Sequence, residues 1–398
     1  MISRRRLLGA AVGAGAVTLA GCASGGAESA PDSAPNTTPS RAAPTSAGPT
    51  PSPSSAVPSA STSPSGSASP SADAGPPRPR ITGTVAEDLE VPWGIAFRRD
   101  GTALVGERDS ARLLSITPAG RVRTLGTVAG VQRPSAGGEG GLLGLALDPD
   151  DEDVLYAYTT TAADNRVVRV SLAGDRVGRP RPVLTGIPTS THHHGGKLLV
   201  APDKTLFVSV GDAEDRATAQ SRTALTGKIL RITRDGGAAD GNPFGNRTWS
   251  YGHRNVEGLA FDAAGRLWAT EFGDKSTDEL NRIVRGGNYG WPDVEGRSDD
   301  SRFRSPAATW SPTSSCSPSG LAVTRGTAFV GALRGECLFS VALDGTDAAD
   351  PVRHFGGEHG RIRTVVVAPD GALWMTTSNT DGRATPGRND DRILRVAL

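Results

Sequence analysis

The sequence predicts an all-β fold, a six-bladed β-propeller whose last blade is closed by an N-terminal strand. Two observations support this prediction. A hairpin pattern, in which two runs of alternating apolar residues flank a polar turn, recurs six times after residue 90. Each copy is followed by a further strand-like segment, so the units contain about four strands. Units of this size cannot bury their own apolar faces. Packing six of them around a common axis buries these faces between neighbouring units.

The six copies are distributed evenly along the chain. Their first strands begin at residues 94, 144, 197, 258, 320 and 364, so successive starts are 44 to 62 residues apart. Turns such as Asp100-Gly101 and the period-two alternation mark each copy as a β-hairpin. A β-sandwich or a pair of β domains is the alternative, but neither produces six equal units.

Closure of the propeller depends on residues 81–86. The sixth unit reaches Leu398 after only three strands, and residues 81–86 are strand-like but belong to no other unit. We expect them to form the outermost strand of the last blade, because an open sheet edge promotes aggregation. Long polar insertions at 134–141, 211–226, 235–255 and 272–278 are expected to form binding loops on one face.

The segment before the propeller divides into two parts. Residues 1–22 resemble an export signal, with arginines at 4–6 in a twin-arginine-like pattern and an apolar run at 7–20 that is too short to cross a membrane. Cys22 ends a segment that resembles a bacterial lipoprotein box, although an ordinary signal with a chance cysteine is the alternative. We therefore expect an exported lipoprotein, anchored through Cys22 on the extracytoplasmic face of the bacterial cell membrane.

Residues 23–78 consist almost entirely of Ser, Pro, Ala, Thr and Gly, which predicts a disordered linker. Residues 79–398 would then form the propeller domain, which we expect to be a monomer. The net charge of +1 gives no reason to expect a nucleic-acid partner. If Cys22 is lipidated, Cys316 and Cys337 remain as a pair, for which we expect a disulfide; two buried free thiols are the alternative.

Three consecutive histidines, His192 to His194, precede the third copy of the hairpin pattern. A zinc cluster requires converging ligands, whereas adjacent residues of an extended strand point to opposite sides. A solvated polar loop is a second alternative. We interpret His193 as a proton-abstracting base, since Asp212 at the far end of the same hairpin could orient its imidazole.

Arginines are expected to surround the central axis at one end. Arg254 offers a planar set of donors to a carboxylate or a quinone oxygen, and Asn255 offers both a donor and an acceptor. Arg361 and Arg363 share one side of a strand by period-two geometry, and Arg334 leaves the fifth copy at the corresponding end. A polyanionic ligand over the axis would explain this arrangement, although Arg254 in an ordinary surface salt bridge is the alternative.

An acidic loop, residues 271–279, contains four carboxylates and a turn glycine. Carboxylate and carbonyl oxygens are the ligands that calcium prefers, but the spacing is not that of an EF-hand. The alternative is a solvated acidic loop.

In this order, these motifs resemble the glucose/sorbosone dehydrogenase family of quinoproteins, especially its soluble aldose sugar dehydrogenases. The resemblance covers residues 81–398. The segments that carry it are 138–144, 192–196, 252–255, 287–292 and 361–363.

The resemblance implies a cofactor, pyrroloquinoline quinone (PQQ), whose three carboxylates would account for the arginines. The residues that match its binding positions are Glu139, Arg254, Asn255, Arg334, Arg361 and Arg363. The resemblance also implies calcium, held by the backbone carbonyls of Gly273 and Asp274, with Glu279 and Tyr289 at a second calcium site.

The implied reaction oxidises the C1 hydroxyl of an aldose to a lactone. His193 would remove the hydroxyl proton, and calcium and Arg254 would stabilise negative charge on the quinone oxygen. Electrons would pass to an external acceptor. The alternatives are a non-enzymatic propeller that binds a ligand or a protein, and a calcium-dependent lactonase-type propeller, which would need several Asp, Asn or Glu side chains converging on the axis.

Overall fold

The structure, a computed structural model, describes residues 76–398. The predicted export signal, the Cys22 anchor and nearly all of the predicted linker lie outside the described residues. Within residues 76–398, antiparallel strands form six separate sheets, and the helical elements are three short 3-10 helices. No helix in this part of the chain is long and apolar enough to cross a membrane. The six-bladed β-propeller predicted from the repeats is confirmed.

Each sheet forms one blade. The strands of the first three blades are β2 (Pro92–Phe97), β3 (Ala103–Glu107), β4 (Arg112–Ile116), β5 (Val122–Thr127), β6 (Leu142–Leu147), β7 (Val154–Thr160), β8 (Asn165–Ser171), β9 (Arg181–Ile187), β10 (Leu198–Val200), β11 (Leu206–Val210), β12 (Lys228–Ile232) and β13 (Thr248–Tyr251). The strands of the fourth and fifth blades are β14 (Asn255–Phe261), β15 (Leu267–Phe272), β16 (Asp278–Ile283), β17 (Ala308–Trp310), β18 (Pro318–Thr324), β19 (Thr327–Ala332), β20 (Cys337–Asp344), β21 (Asp347–Ala348) and β22 (Val352–His354). The sixth blade contains β1 (Arg80–Ala86), β23 (Ile362–Val367), β24 (Leu373–Thr377) and β25 (Ile393–Ala397). The 3-10 helices are η1 (Ala173–Asp175), η2 (Arg216–Gln220) and η3 (Thr313–Ser315).

The first strand of each repeat is the inner strand of its blade, and the inner strands of adjacent blades pack against one another around the axis. Apolar side chains fill the space between blades. For example, Leu143 and Tyr158 of the second blade lie in one buried cluster with Leu198 and Val208 of the third. A single four-stranded sheet cannot bury its own faces. The core is therefore formed by packing between neighbouring blades.

The closing strand is β1. It pairs antiparallel with β25, with Ile81 opposite Val396 and Thr84 opposite Leu394. The predicted strand at 81–86 is confirmed, and it begins one residue earlier than expected. The last blade thus joins the two ends of the propeller domain.

Two expectations require correction. The insertion at 235–255 is not only a loop, since it contains β13, the outer strand of the third blade. The expected disulfide is also wrong, because Cys316 and Cys337 are free thiols buried in one apolar cluster. Burial raises the pKa of both thiols, so the reactive thiolate form is disfavoured at each.

Candidate active site

A cavity of about 230 Å³ lies at the end of the axis where the inner strands begin. Of the twelve site residues predicted from the sequence, nine line it: Glu139, His193, Arg254, Asn255, Gly273, Asp274, Arg334, Arg361 and Arg363. Asp212, Glu279 and Tyr289 do not line it. The cavity therefore brings together most of the predicted residues from loops more than 200 residues apart in the chain.

His193 and Asp212 form a hydrogen-bonded pair. The imidazole Nδ1 lies 2.7 Å from Asp212 Oδ1, and the side chains are 19% and 2% exposed. Because a carboxylate only accepts, we assign the proton to Nδ1, which leaves Nε2 able to accept a proton. The predicted orienting role of Asp212 thus has the required geometry, although Asp212 lies behind the imidazole.

Further donors hold Asp212 in its charged form. Trp291 Nε1 donates to Asp212 Oδ2 at 2.8 Å, and the backbone N–H of Glu214 donates to Oδ1 at 2.9 Å. Burial alone would raise the pKa of Asp212, but the hydrogen bonds from His193, Trp291 and Glu214 hold it below its ordinary value. A buried, ionised carboxylate is well suited to fix the ring orientation of His193.

The backbone around the histidines is turned rather than extended. His193 has φ +60°, and Gly195 and Gly196 also have positive φ. A side chain at Gly211 would collide with the His193 carbonyl, because a Cβ there would lie 2.0 Å from that oxygen. Glycine at 211 therefore allows β11 to deliver Asp212 directly beside His193.

The three histidines have different partners. His192 Nδ1 contacts Glu214 at 3.1 Å, whereas His194 is buried and its Nδ1 contacts Asn165 Oδ1 at 3.0 Å. The zinc alternative is not supported, because the rings do not converge. Within residues 76–398, no group of three or more His, Cys, Asp or Glu side chains is arranged to hold a metal.

The arginines differ in how far their guanidinium groups are already paired. Arg361 and Arg363 contact Asp381 at 3.0 and 3.5 Å, and Arg254 contacts Asp274 at 3.3 Å. Arg254 also stacks over the Trp291 ring, 5.5 Å from its centroid, and its buried Nε has no hydrogen-bond partner. The guanidinium of Arg334 forms no ion pair with any described residue. Arg254 and Arg334 thus retain donors for a ligand.

Sequence reasoning missed Glu257 and Arg383, which also line the cavity. Asp278, which the sequence analysis counted only among the carboxylates of the acidic loop 271–279, lines it as well. Glu257 accepts from Arg363 at 3.1 Å and from Ser319 at 2.6 Å, and burial raises its pKa. A period-two count from Asn255 could have found it. Arg383 contacts Glu139 at 3.3 Å from a loop without periodicity, so no signal in the sequence marked it.

Glu139 connects the His193 loop to the last blade. Its Oε2 accepts the backbone N–H of His193 at 2.9 Å, and its Oε1 contacts Arg383. Burial favours the neutral acid, but the donors from His193 and Arg383 lower the pKa of Glu139 below its ordinary value. The cavity therefore contains a carboxylate as well as arginines.

The loop that carries Gly273 and Asp274 is organised by Glu295. Glu295 Oε1 accepts the backbone N–H groups of residues 274–277 at 2.9 to 3.1 Å. The N–H of Gly273 donates to Asp278 Oδ1 at 2.9 Å, and burial raises the pKa of Asp278 to about 7. Carboxylates thus accept hydrogen bonds from every backbone N–H group of residues 273–277. The carbonyl oxygens of the loop remain available to other partners.

Glu279 and Tyr289 belong to a buried network outside the cavity. Glu279 Oε1 accepts the Gly296 N–H at 2.7 Å, and burial raises the pKa of Glu279 to about 8. The Tyr289 hydroxyl donates to the Arg282 carbonyl at 2.6 Å, and its ring stacks on His253 with centroids 4.6 Å apart. Their role in a second calcium site stays a prediction.

Several known proteins are similar to this chain in sequence or in fold. The PQQ-bound aldose sugar dehydrogenase of Streptomyces coelicolor superimposes with a TM-score of 0.77 at 46% identity, over 80% of this chain and 97% of that one. The aldose sugar dehydrogenase of Escherichia coli is 29% identical over 74% of this chain and 89% of its own. The quinoprotein glucose dehydrogenase B of Acinetobacter calcoaceticus is 31% identical over 55% of this chain, about half of its own length (54%). The sequence model named glucose / sorbosone dehydrogenase matches residues 89–388, so the chain belongs to that family.

Proposed function

We propose that this protein is a PQQ-dependent aldose sugar dehydrogenase that oxidises the C1 hydroxyl of an aldose to a lactone and passes the electrons to an external acceptor. One observation carries the proposal. A carboxylate-oriented histidine, His193, opens onto the same cavity as Arg254 and Arg334, which retain unpaired donors. The similarity to an aldose sugar dehydrogenase that binds PQQ supports it.

The cavity residues fit a polycarboxylate cofactor. A buried nitrogen without a partner, such as Arg254 Nε, is unfavourable unless a ligand satisfies it. Arg334 also lines the cavity and offers a guanidinium, and Arg361 and Arg363 add positive charge beside their contacts with Asp381. When bound, PQQ would supply the oxidising centre of the reaction, which accepts a hydride equivalent from C1 of the sugar.

Calcium fits the adjoining loop. Calcium prefers carbonyl and carboxylate oxygens, and the amides of the 273–277 loop are occupied by Glu295 and Asp278, so its carbonyls are the groups left to coordinate. We therefore assign the calcium to Gly273 and Asp274. When bound, the ion would act as a Lewis acid that stabilises developing negative charge.

We propose the following roles for the chain's own groups. His193 Nε2 accepts the proton of the C1 hydroxyl, and Asp212 stabilises the imidazolium that forms. Arg254 would donate to a quinone oxygen of the bound cofactor and so stabilise negative charge there. Trp291 fixes both Asp212, through its indole N–H, and Arg254, through its ring.

The test combines purified apoprotein with PQQ and Ca²⁺ and follows dye reduction with a panel of aldoses. We expect turnover, and we expect His193→Ala to lower kcat by about 10²- to 10⁴-fold. His192→Ala is the matched control, because that ring contacts Glu214 and does not line the cavity. Absence of both quinone binding and turnover with every aldose would refute the proposal. Turnover that survives in His193→Ala would refute only the assignment of the base.

The lactonase-type alternative gains one observation from the cavity, where Glu139, Glu257, Asp274 and Asp278 are present beside the arginines. These carboxylates are committed to arginine or backbone donors, and no three of the described acidic residues converge as metal ligands. Adding a lactone without PQQ to the same assay tests this alternative. We expect no hydrolysis.

We also propose that the protein is exported and anchored through a lipid on Cys22, with residues 23–78 as the tether. The support is the twin-arginine-like pattern and the cysteine that follows the apolar run. Fractionation of cells that express the wild type or Cys22→Ala tests this. We expect the wild type in the membrane fraction and the variant among the soluble exported proteins.

A further inference from the structure

A second cavity, of about 570 Å³, lies at the opposite end of the axis from the active site. The active-site residues lie at the starts of the inner strands, as Asn255 does on β14, or just after the ends of the second strands, as Arg334 does after β19. The second cavity is lined by the ends of the inner strands. Its mouth carries one apolar residue from each of the six inner strands, half-buried or exposed: Phe97, Leu147, Val200, Phe261, Val323 and Val367.

This apolar ring is unusual for a surface. Val367 is 37% exposed and is one of only three large apolar side chains exposed among the described residues. Contiguous exposed apolar groups commonly mark a ligand or partner site. The ring is concave rather than flat, because it surrounds the axial channel, which favours a small molecule over a protein surface.

Lys197 lies at the inner end of this cavity. It directly precedes β10, lines the cavity, and is only 8% exposed. Its ammonium has no hydrogen bond or ion pair with any described residue, whereas the other charged groups of the cavity are paired. Arg99 contacts Glu152, and Asp148 contacts Arg234. A buried cation without a counter-charge is costly, so a ligand that supplies an anion would bind favourably.

We propose that this axial cavity binds an aliphatic carboxylate, with its carboxylate on the Lys197 ammonium and its alkyl chain directed toward the apolar ring at the mouth. The two parts of the cavity match the two parts of such a ligand. Burial lowers the pKa of Lys197 to about 8, so the side chain is cationic at neutral pH and becomes neutral in mild alkali.

The proposal is tested by calorimetric titration of the purified full-length chain with octanoate, in parallel with octanol and acetate. We expect octanoate to bind more tightly than either, because octanol lacks the charge and acetate lacks the apolar chain. Lys197→Met, which keeps a linear side chain, should weaken octanoate binding by about tenfold to hundredfold while leaving octanol binding unchanged. No octanoate binding to the wild type at millimolar concentration would overturn the proposal, and so would equal binding to Lys197→Met.

Two further measurements keep the test decisive if Lys197→Met fails to fold. Octanoate binding to the wild type should weaken as the pH rises from 7 to 9.5, because Lys197 loses its proton over that range. The other ionisable side chains that line the cavity are Arg99, Asp148 and Glu152. Val367→Asp, at the exposed mouth, should weaken binding and leave sugar oxidation unchanged. If binding is insensitive to both, the ligand is not on Lys197. The binding assay contains no quinone, so its outcome is independent of the proposed oxidoreductase activity.

Discussion

At the scale of single residues, Asp212 is the group whose role can be tested most directly. It contacts no predicted ligand and acts through His193, which it binds at 2.7 Å. We expect Asp212→Asn to lower kcat by about tenfold to hundredfold, a range typical of partners that orient a reacting group. The reason is that an asparagine amide can present its NH₂ to Nδ1 and so stabilise the wrong tautomer.

Steady-state kinetics of Asp212→Asn with a fixed aldose provides the measurement. PQQ affinity should stay unchanged, since Asp212 does not line the cavity. Trp291→Phe removes the donor to the other carboxylate oxygen and also alters the ring under Arg254, so it should affect both kcat and quinone binding. An unchanged kcat in Asp212→Asn would show that His193 does not depend on this carboxylate.

Lys228 presents a second residue-scale prediction, on stability rather than catalysis. It is fully buried, and its ammonium donates to the carbonyls of Thr218, Ala219 and Thr226 at 2.6 to 2.9 Å. Lys228→Met would leave the Thr226 carbonyl without a donor and would remove one of the two donors to the carbonyls of Thr218 and Ala219, which also accept the N–H groups of Ser221 and Gly252. We expect the free energy of unfolding to fall by about 3 kcal/mol, which chemical denaturation would measure.

The matched control is Lys204→Met, because Lys204 is about half exposed and its contact with Asp150 is a surface ion pair. That change should alter the free energy of unfolding by less than about 1 kcal/mol. If the two variants are equally stable, the carbonyl contacts of Lys228 do not hold η2 in place.

The residues that could be predicted from the sequence are those whose chemistry is unusual for their setting. A histidine run beside an apolar strand, or an arginine before an inner strand, is visible without coordinates. Glu257 was missed because a lone glutamate in an apolar strand is a weak signal. Arg383 was missed because its contact with Glu139 joins residues 244 positions apart. Such contacts arise only when the propeller closes.

At the scale of elements, the loop of residues 273–277, the proposed calcium site, depends on Glu295. One carboxylate oxygen accepts four consecutive backbone N–H groups, which fixes the conformation of residues 274–277. We expect Glu295→Ala to raise the calcium concentration needed for half-maximal activity by about tenfold, because the loop must then be ordered by the ion. A calcium titration of the PQQ-loaded enzyme would measure this.

Glu295→Gln is the control for that experiment, since its amide oxygen keeps a neutral acceptor in the same position. Its calcium requirement should lie between the wild type and Glu295→Ala. A calcium requirement that is the same in all three proteins would mean that the ion does not bind this loop.

The elements themselves were largely predictable, because the period-two alternation reports strands directly. β13 was not, since its four residues lie inside a long polar insertion and give too few alternations to count. The turned backbone at His193 was also hidden. The tripeptide of histidines carries no glycine at the position with positive φ, so local propensity favoured an extended strand.

At the scale of the whole molecule, the propeller separates two environments along one axis. The starts of the inner strands carry arginines and carboxylates, and their ends carry an apolar ring with one buried lysine behind it. The same six strands form both environments. This is possible because the residue types at one end of a strand do not constrain those at the other end. The fold was predictable from repeats, whereas the second cavity required the relative positions of six strand ends.

Closure of the propeller by β1 can be tested at the scale of the whole molecule. A chain that begins at residue 79 keeps β1, whereas one that begins at residue 87 leaves β25 as an unpaired edge and removes Ile81 and Ala86 from the core. We expect the first chain to unfold at the same temperature as the full-length protein. The second should lose cooperative unfolding and aggregate, because an exposed edge strand pairs with other chains. Size-exclusion chromatography and thermal unfolding distinguish the two chains.

A peptide of residues 79–88 added to the chain that begins at residue 87 should restore part of the soluble monomer by pairing with β25. If the chain that begins at residue 87 matches the longer one, β1 contributes nothing to closure.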